Sequence, residues 1–411
     1  MGEREENRDL GDDIAGFSRG PGLPSHFYFH VPFCRSKCAY CDFASIAGAD
    51  PQAVFAVFSG MEAELRRWGV SMLPGVVETV YFGGGTPSLH VPQVLSVLEC
   101  VHRDLPLRAG VEVTVEANPD SLSRDSVAAL AEAGVTRISV GVQAFDASVL
   151  QLLGRCHDSR QALDACEAVA DARLELSVDV ICGVPGQSRA SWESTLELAI
   201  GTGAKHVSVY PLSVEAGTPL AVAVDTGLIE DADPDEAEAM MLIAEEMLGA
   251  AGLRRYEVAN YAVPGHESRH NSAYWSGESY AGVGPGAHGM VDVATARAVG
   301  ILPPGAAEDT IRVRYAEATN IDGWLTGGLE VVELLNAGET AREDVMLRLR
   351  LATGVSVKQA REAGLEDVMA SLAEDGLVER SVEADGWHWR TTRRGWLLGN
   401  EVFGRVWNGE G

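Results

Sequence analysis

The chain has 411 residues, of which 46% are apolar and 22% charged, the balance of a globular protein long enough for two to three domains of about 150 residues. Its 32 basic residues stand against 60 acidic ones, a net charge of −28. That excludes general affinity for nucleic-acid backbones, which needs a basic footprint. No stretch approaches the roughly 18 uninterrupted apolar residues of a membrane helix.

Residues 1–25 mix acidic and basic side chains and then turn rich in Gly and Pro. They lack the apolar core of a signal peptide and read as a disordered acidic tail on a cytoplasmic protein. From His26 onward one unit recurs at roughly thirty-residue spacing: a β-rich run, a turn, then a helical pattern. The predicted strands are Phe27–Val31, Thr79–Phe82, Glu112–Val115, Arg137–Val140, Ser177–Ile181 and His206–Val209. Helical spacing marks Ser123–Ala133 and Ser159–Asp171 between them. Strands alternating with helices predict an α/β fold with a parallel sheet. Residues 26–225 therefore read as a partial (β/α)6 TIM-type barrel, with a doubly wound open sheet as the alternative.

After Thr218 the pattern changes. Residues 226–335 read as a segment capping the barrel, with a very acidic helix over Glu230–Ala251 and an irregular stretch, Tyr256–Met290, rich in aromatics and glycine. Within it, Gly282-Val283-Gly284-Pro285-Gly286 resembles a nucleotide loop only loosely, and His288 just beyond could face the site but reads first as a turn histidine. Residues 336–411 read helix, helix, then a hairpin around Ala384-Asp385-Gly386, a winged-helix-like α+β domain. Its 10 basic and 12 acidic residues from Ala341 to Gly411, a net of −2, favour packing or partner docking over DNA.

Unusual residues fall where the predicted strands end: Cys34, Gly83–Thr86, Glu116, Gln143, Asp179 and Tyr210. In a barrel these positions share one rim, the face on which active sites form. Seven cysteines is an odd count, and three of them, Cys34, Cys38 and Cys41, lie within eight residues at C-x3-C-x2-C spacing. Three thiolates on one loop can hold three irons of a [4Fe–4S] cube and leave the fourth open to a chelator. A structural zinc would need a fourth ligand, and although His30 is near, no second Cys or His pair follows. Cys166 falls in an apolar helical pattern and reads as core; Cys156 and Cys182 lie near the rim without a role. The run Gly83-Gly84-Gly85-Thr86-Pro87 frees backbone groups for an ammonium and a carboxylate. Glu116 and Asp179 can accept from ribose hydroxyls, Gln143 can do both, and Arg155 can pair with a carboxylate.

The cysteine spacing after a first strand resembles the radical S-adenosylmethionine (SAM) superfamily. Tyr28–Cys34, Gly83–Pro87, Glu116-Ala117-Asn118-Pro119, Gly141–Phe145 and Asp179–Pro185 resemble, more narrowly, the oxygen-independent coproporphyrinogen III oxidase family, from about Tyr28 to Val406. The resemblance implies a [4Fe–4S] cluster on Cys34, Cys38 and Cys41. It implies S-adenosyl-L-methionine held by Tyr28, Tyr40, Gly84, Gly85, Thr86, Glu116, Gln143, Arg155 and Asp179. Two features separate that family's branches. The authentic oxidase has a further cysteine where this chain has Phe43, and Arg269–Trp275 matches the HNxxYW signature of the heme chaperone branch. The chaperone branch implies heme as cargo, His270, Asn271, Tyr274 and Trp275 as heme-binding candidates, and heme-accepting proteins such as respiratory enzymes as partners. It leaves room for peripheral membrane contact and a cluster-dependent homodimer.

On a helix His270 and Tyr274 share one face, and Asn271 and Trp275 the next. The residues alone favour a buried, hydrogen-bonded His270 with Tyr274 and Trp275 packing the barrel mouth. The resemblance adds heme ligation by the imidazole and contact of the flat rings with a porphyrin. The alternatives are oxidative decarboxylation of coproporphyrinogen III and a redox-sensing winged-helix regulator; the charge count disfavours the latter. The SAM site is shared by carrier and oxidase and does not separate them.

Overall fold

The computed structural model describes residues 23–71 and 75–409. All but the last residues of the tail predicted over 1–25 therefore lie outside the described residues. Six parallel strands form the centre of the sheet: β1 (His26–Val31), β2 (Val77–Gly84), β3 (Leu107–Ala117), β4 (Arg137–Gln143), β5 (Glu175–Cys182) and β6 (His206–Pro211). They lie in sequence order, each covering the run that the alternation predicts. Crossovers are made by α1 (Pro51–Ser71), α2 (Val91–Asp104), α3 (Arg124–Glu132), α4 (Ala147–Leu153), α5 (Ser159–Asp171) and α6 (Arg189–Gly201).

Strand β1 shows why the sheet forms. Phe27, Phe29 and Val31 are fully buried, with Phe27 edge-on to Trp68 of α1 at 6.0 Å and Phe29 stacked on Phe82 of β2 at 4.7 Å. Each such side chain contributes about 1.5–3 kcal/mol through burial. The intervening Tyr28 and His30 face the other side of the strand, by the two-residue period. Helix α5 starts at a capping box between Asp158 and Gln161 and buries Ala162, Ala165, Cys166 and Val169, so Cys166 is core as its pattern predicts.

Beyond β6 come α7 (Pro219–Asp225) and α8 (Pro234–Ala250), then β7 (Arg254–Arg255), β8 (Asn260–Ala262), α9 (Arg269–Ser276), β9 (Tyr280–Val283), β10 (His288–Asp292), β11 (Thr310–Glu317) and β12 (Leu329–Asn336). The sheet runs β12-β11-β10-β9-β1-β2-β3-β4-β5-β6-β8-β7 without a closing pair, as a partial barrel requires. The stretch expected to be irregular, Tyr256–Met290, thus holds β8, α9, β9 and the start of β10 between its loops. It adds a seventh parallel strand, β9, beside β1 and an antiparallel strand, β8, beside β6. Strands of three and four residues are too short to show a period. His288 is not in a turn but opens β10.

At the C-terminal end, helices Val357–Glu362 and Glu366–Glu374 precede a hairpin of Val378–Glu383 and Gly386–Thr391. The region has its own apolar cluster, built on Leu349, Val355, Met369, Leu372, Val402 and Val406. It is tied to the sheet domain by Trp396, whose indole N–H donates to the Val258 carbonyl at 2.8 Å while Arg255 stacks on its ring. Among the described residues no helix is long and apolar enough to cross a membrane.

Candidate functional site

The cysteine loop leaves the end of β1 and is pinned at three points. Phe33–Cys34 pairs in parallel with Ile46–Ala47. In mid-loop the Ala39 N–H donates to Leu153 O at 3.0 Å, and the Ala39 carbonyl accepts from Leu220 N at 2.9 Å. Cys34, Cys38 and Cys41 are free, half-buried thiols on the wall of one cavity of about 340 Å³. Thr86 Oγ1 donates to Cys34 Sγ at 3.5 Å and Arg155 Nη1 to Cys38 Sγ at 3.4 Å. Burial pushes the Cys34 and Cys41 thiols up; bound iron would reverse that balance and hold them as thiolates. Among the described residues no three His, Cys, Asp or Glu side chains converge as a single-ion site requires. A cluster takes one iron per thiolate and needs no such convergence. A free thiol set with a hydroxyl and a guanidinium donor therefore fits it.

The rim residues meet in this cavity. Tyr40, Gly84, Gly85, Thr86, Glu116, Gln143, Arg155 and Asp179 all line it, together with Tyr210. The glycine run is set by crowding as well as by any ligand. A Cβ on Gly85 would lie 2.6 Å from Phe33 O, and one on Gly84, whose φ is +103°, would lie 2.4 Å from the His30 ring. Gln143 sits at φ +64°, where the β4–β5 register slips between Gly141 and Gln143. Such backbone strain at a strand end is concentrated at functional sites. Glu116 accepts from Tyr81 OH at 2.7 Å and Gly84 N at 3.1 Å; burial, offset in part by the Tyr81 bond, pushes it up to about 7. The Ser139 hydroxyl lies 3.0 Å from both Asp179 oxygens and donates its one proton to that carboxylate, and burial raises Asp179 too.

Asn118 lies in a motif the sequence shows, but its part comes from the structure. It accepts from Arg155 Nη2 at 2.6 Å and donates to Thr86 Oγ1 at 2.9 Å, joining the β2 and β3 ends to Arg155, which also donates to Gly141 O of β4 at 2.7 Å. Its place in Glu116-Ala117-Asn118-Pro119 was the available signal.

Tyr28 is the exception among the proposed SAM contacts. Two residues below His30 on β1, it is too deep for the rim and lines a second cavity of about 600 Å³, with its hydroxyl 3.2 Å from His30 Nδ1. Asp42 and Phe43 belong to both cavities, so the cysteine loop is the wall between them.

The second cavity is also lined by Tyr274 and Trp275 of α9 but not by His270 or Asn271. His270 is 1% exposed. Its Nδ1 lies 2.6 Å from Thr79 Oγ1 and its Nε2 2.8 Å from Tyr274 OH, and burial pulls its pKa down to about 3. It is a neutral, doubly hydrogen-bonded core histidine that fixes Tyr274.

Comparison with known proteins gives the family and the fold. The Radical SAM superfamily model matches residues 28–199. The heme chaperone HemW of Mycobacterium tuberculosis is 36% identical over 374 residues, 89% of this chain and 92% of that protein. HemW of Bacillus subtilis is 34% identical over 391 residues, 92% of this chain and 97% of that protein. The chain belongs to the HemW family of radical SAM proteins. The mitochondrial Radical S-adenosyl methionine domain-containing protein 1 of Bos taurus is 39% identical over 331 residues, 78% of this chain and 71% of its own. In structure, coproporphyrinogen III oxidase (HemN) from Escherichia coli superposes with a TM-score of 0.75 over 95% of this chain and 91% of that one. At 20% identity that likeness establishes the fold alone.

Proposed function

We propose that this protein binds heme and hands it to acceptor proteins, with a [4Fe–4S] cluster on Cys34, Cys38 and Cys41 and S-adenosylmethionine in the adjoining cavity. The observation that carries the reading is the second cavity, about 600 Å³, which shares the cysteine loop as a wall and offers Tyr28, Phe43, Tyr274 and Trp275. That size lies within the range of about 300–1,000 Å³ typical of cofactor pockets, and flat aromatic walls suit a macrocycle. The name heme chaperone, carried by relatives along most of the chain, supports it.

When bound, the cluster supplies one electron toward the sulfonium of SAM. The chain's own residues bind and orient. Gly84 and Gly85 bring backbone within reach of the methionyl end, Glu116 and Asp179 accept from ribose hydroxyls, and Arg155 holds a carboxylate while already bonded to Gly141 O and Asn118. Phe43 is 61% exposed and stands where the oxidase branch has a cysteine, which favours carriage over oxidative decarboxylation. Acceptors on this reading are heme proteins such as respiratory enzymes.

The test is anaerobic incubation of the cluster-loaded protein with reductant, SAM and coproporphyrinogen III, beside a titration with hemin. Stoichiometric heme binding without vinyl-bearing porphyrin is the expected result. Repeated turnover to that product would make the protein an oxidase.

A further inference from the structure

We propose that His288, and not the histidine of the HNxxYW helix, supplies the imidazole that ligates the heme iron; this assignment rests on the heme-carrying reading above. An imidazole binds iron through the lone pair of one ring nitrogen, so a ligand histidine needs a nitrogen free of other bonds. Two histidines line the second cavity, His30 and His288. His30 is saturated: Nε2 lies 2.9 Å from the Ala44 carbonyl and Nδ1 3.2 Å from Tyr28 OH. His270 is saturated as well, by Thr79 and Tyr274, and does not line the cavity.

His288 is exposed and opens β10. Among the described residues its imidazole makes no hydrogen bond. Met290, two residues along the same strand, lines the same cavity, as the two-residue period of a strand requires. The cavity thus offers an open imidazole beside the aromatic rings of Tyr28, Phe43 and Tyr274. Arg314 is the cationic side chain on its wall, and it already pairs with Glu333 and Glu343. A propionate would have to share that guanidinium, so orientation of the cargo falls to the iron ligand instead of to a charge clamp. In this arrangement His270 is a positioning residue. It holds the Tyr274 ring at the cavity wall through the 2.8 Å bond between Nε2 and the phenol.

The test uses the full chain, loaded anaerobically with its cluster and titrated with hemin, followed by reduction and resonance Raman detection of the iron–histidine stretch. In His288→Ala the stretch is lost, the dissociation constant rises at least tenfold, and added imidazole restores the wild-type spectrum. His270→Ala keeps the stretch. Because His288 is exposed, its removal leaves the fold intact, which the unchanged cluster absorption verifies. A His288→Ala protein with wild-type stretch and affinity would overturn the assignment while leaving heme carriage standing. Wild-type protein that takes up no hemin would overturn the carrier reading and the ligand assignment with it.

Discussion

Replacing Glu112 tests how strand β3 holds the signature helix in place. Helix α9 is eight residues long, too short to persist alone, and its N-terminal N–H groups are all provided for. Ser268 N donates to Tyr256 OH at 3.3 Å, Arg269 N and His270 N each to a Glu112 oxygen at 3.0 Å, and Asn271 N to Ser268 Oγ at 3.2 Å. Glu112 is 6% exposed and faces Arg137, itself 4% exposed, at 3.6 Å. In Glu112→Gln one carboxylate oxygen becomes an amide that cannot accept, so one charge-assisted bond, about 1.5–3 kcal/mol, is lost. At about 1.4 kcal/mol per decade this speeds local opening of α9 by about ten- to a hundredfold. Glu112→Ala removes both acceptors and leaves Arg137 with Glu175 alone as a charged partner, a cost of about 3–5 kcal/mol. Native-state hydrogen exchange reads this directly as faster exchange of the α9 amides, with α3 as the unaffected control. Unchanged protection over Arg269–Ser276 in both variants would refute the reasoning.

Three further outcomes follow from single contacts. Cys34→Ala, Cys38→Ala and Cys41→Ala should each abolish the brown absorption of anaerobically reconstituted protein. Cys166→Ala should not, since that thiol is 1% exposed in the core and burial pushes it up to about 12; a full cluster in the triple variant would contradict the site. Gly85→Ala should weaken SAM binding by more than tenfold in equilibrium dialysis, because its Cβ would lie 2.6 and 2.7 Å from the Phe33 and Val31 carbonyls. Gly249→Ala, with open space around it inside α8, is the neutral or mildly stabilising control. The last concerns Glu64 and Glu317, buried and hydrogen-bonded to each other. Burial and the Glu64 charge push Glu317 up to about 9. The folded chain then keeps a proton that the unfolded chain releases above about 4.5, so stability present at low pH is lost as pH climbs toward 9. Urea midpoints should fall over that window in wild type and flatten in Glu317→Gln; equal slopes would show the pair is not the cause.

The parallel strands and their polar ends were legible because both signals are local. A β-rich run followed by a helical pattern recurs unit after unit, and the chemistry-bearing residue stands at each strand's end. What stayed hidden is long-range. Strand β9 is four residues, one of them glycine, and becomes a strand only by pairing with β1, about 250 residues earlier. His288 sits in a glycine-rich run that looks like a turn until β11 pairs with it. The saturation of His270 depends on Thr79, 191 positions away. Glu112 reaches α9 across 157. No window of sequence holds either pair. Tyr28, which the family resemblance makes a SAM contact, lines the second cavity and not the first, a distinction that only strand registry supplies.

The two cavities are also joined beneath the cysteine loop. Glu116 accepts from Tyr81 at 2.7 Å, the Tyr81 ring stacks on His270 with centroids 5.0 Å apart, and His270 holds Tyr274 at 2.8 Å. Glu116 thus lines the first cavity and stands at one end of a contact chain that ends at Tyr274 in the second. Burial, with the Asp179 charge adding to it, pushes this carboxyl up to about 7, so near neutrality about half of the molecules carry a proton there. Only the ionised form offers both oxygens to the ribose hydroxyls that the proposed SAM site assigns to it. With a pKa of about 7, the apparent dissociation constant for SAM should be about tenfold larger at pH 6 than at pH 8, following the protonated fraction. The sign is set by the raised pKa: affinity grows as pH rises through it. Glu116→Gln, which cannot ionise, serves as the baseline for SAM's own titration and should show weaker binding without that tenfold term. Equilibrium dialysis of cluster-loaded protein at pH 6, 7 and 8 separates the two. A wild-type profile parallel to that of Glu116→Gln would remove Glu116 from the SAM site.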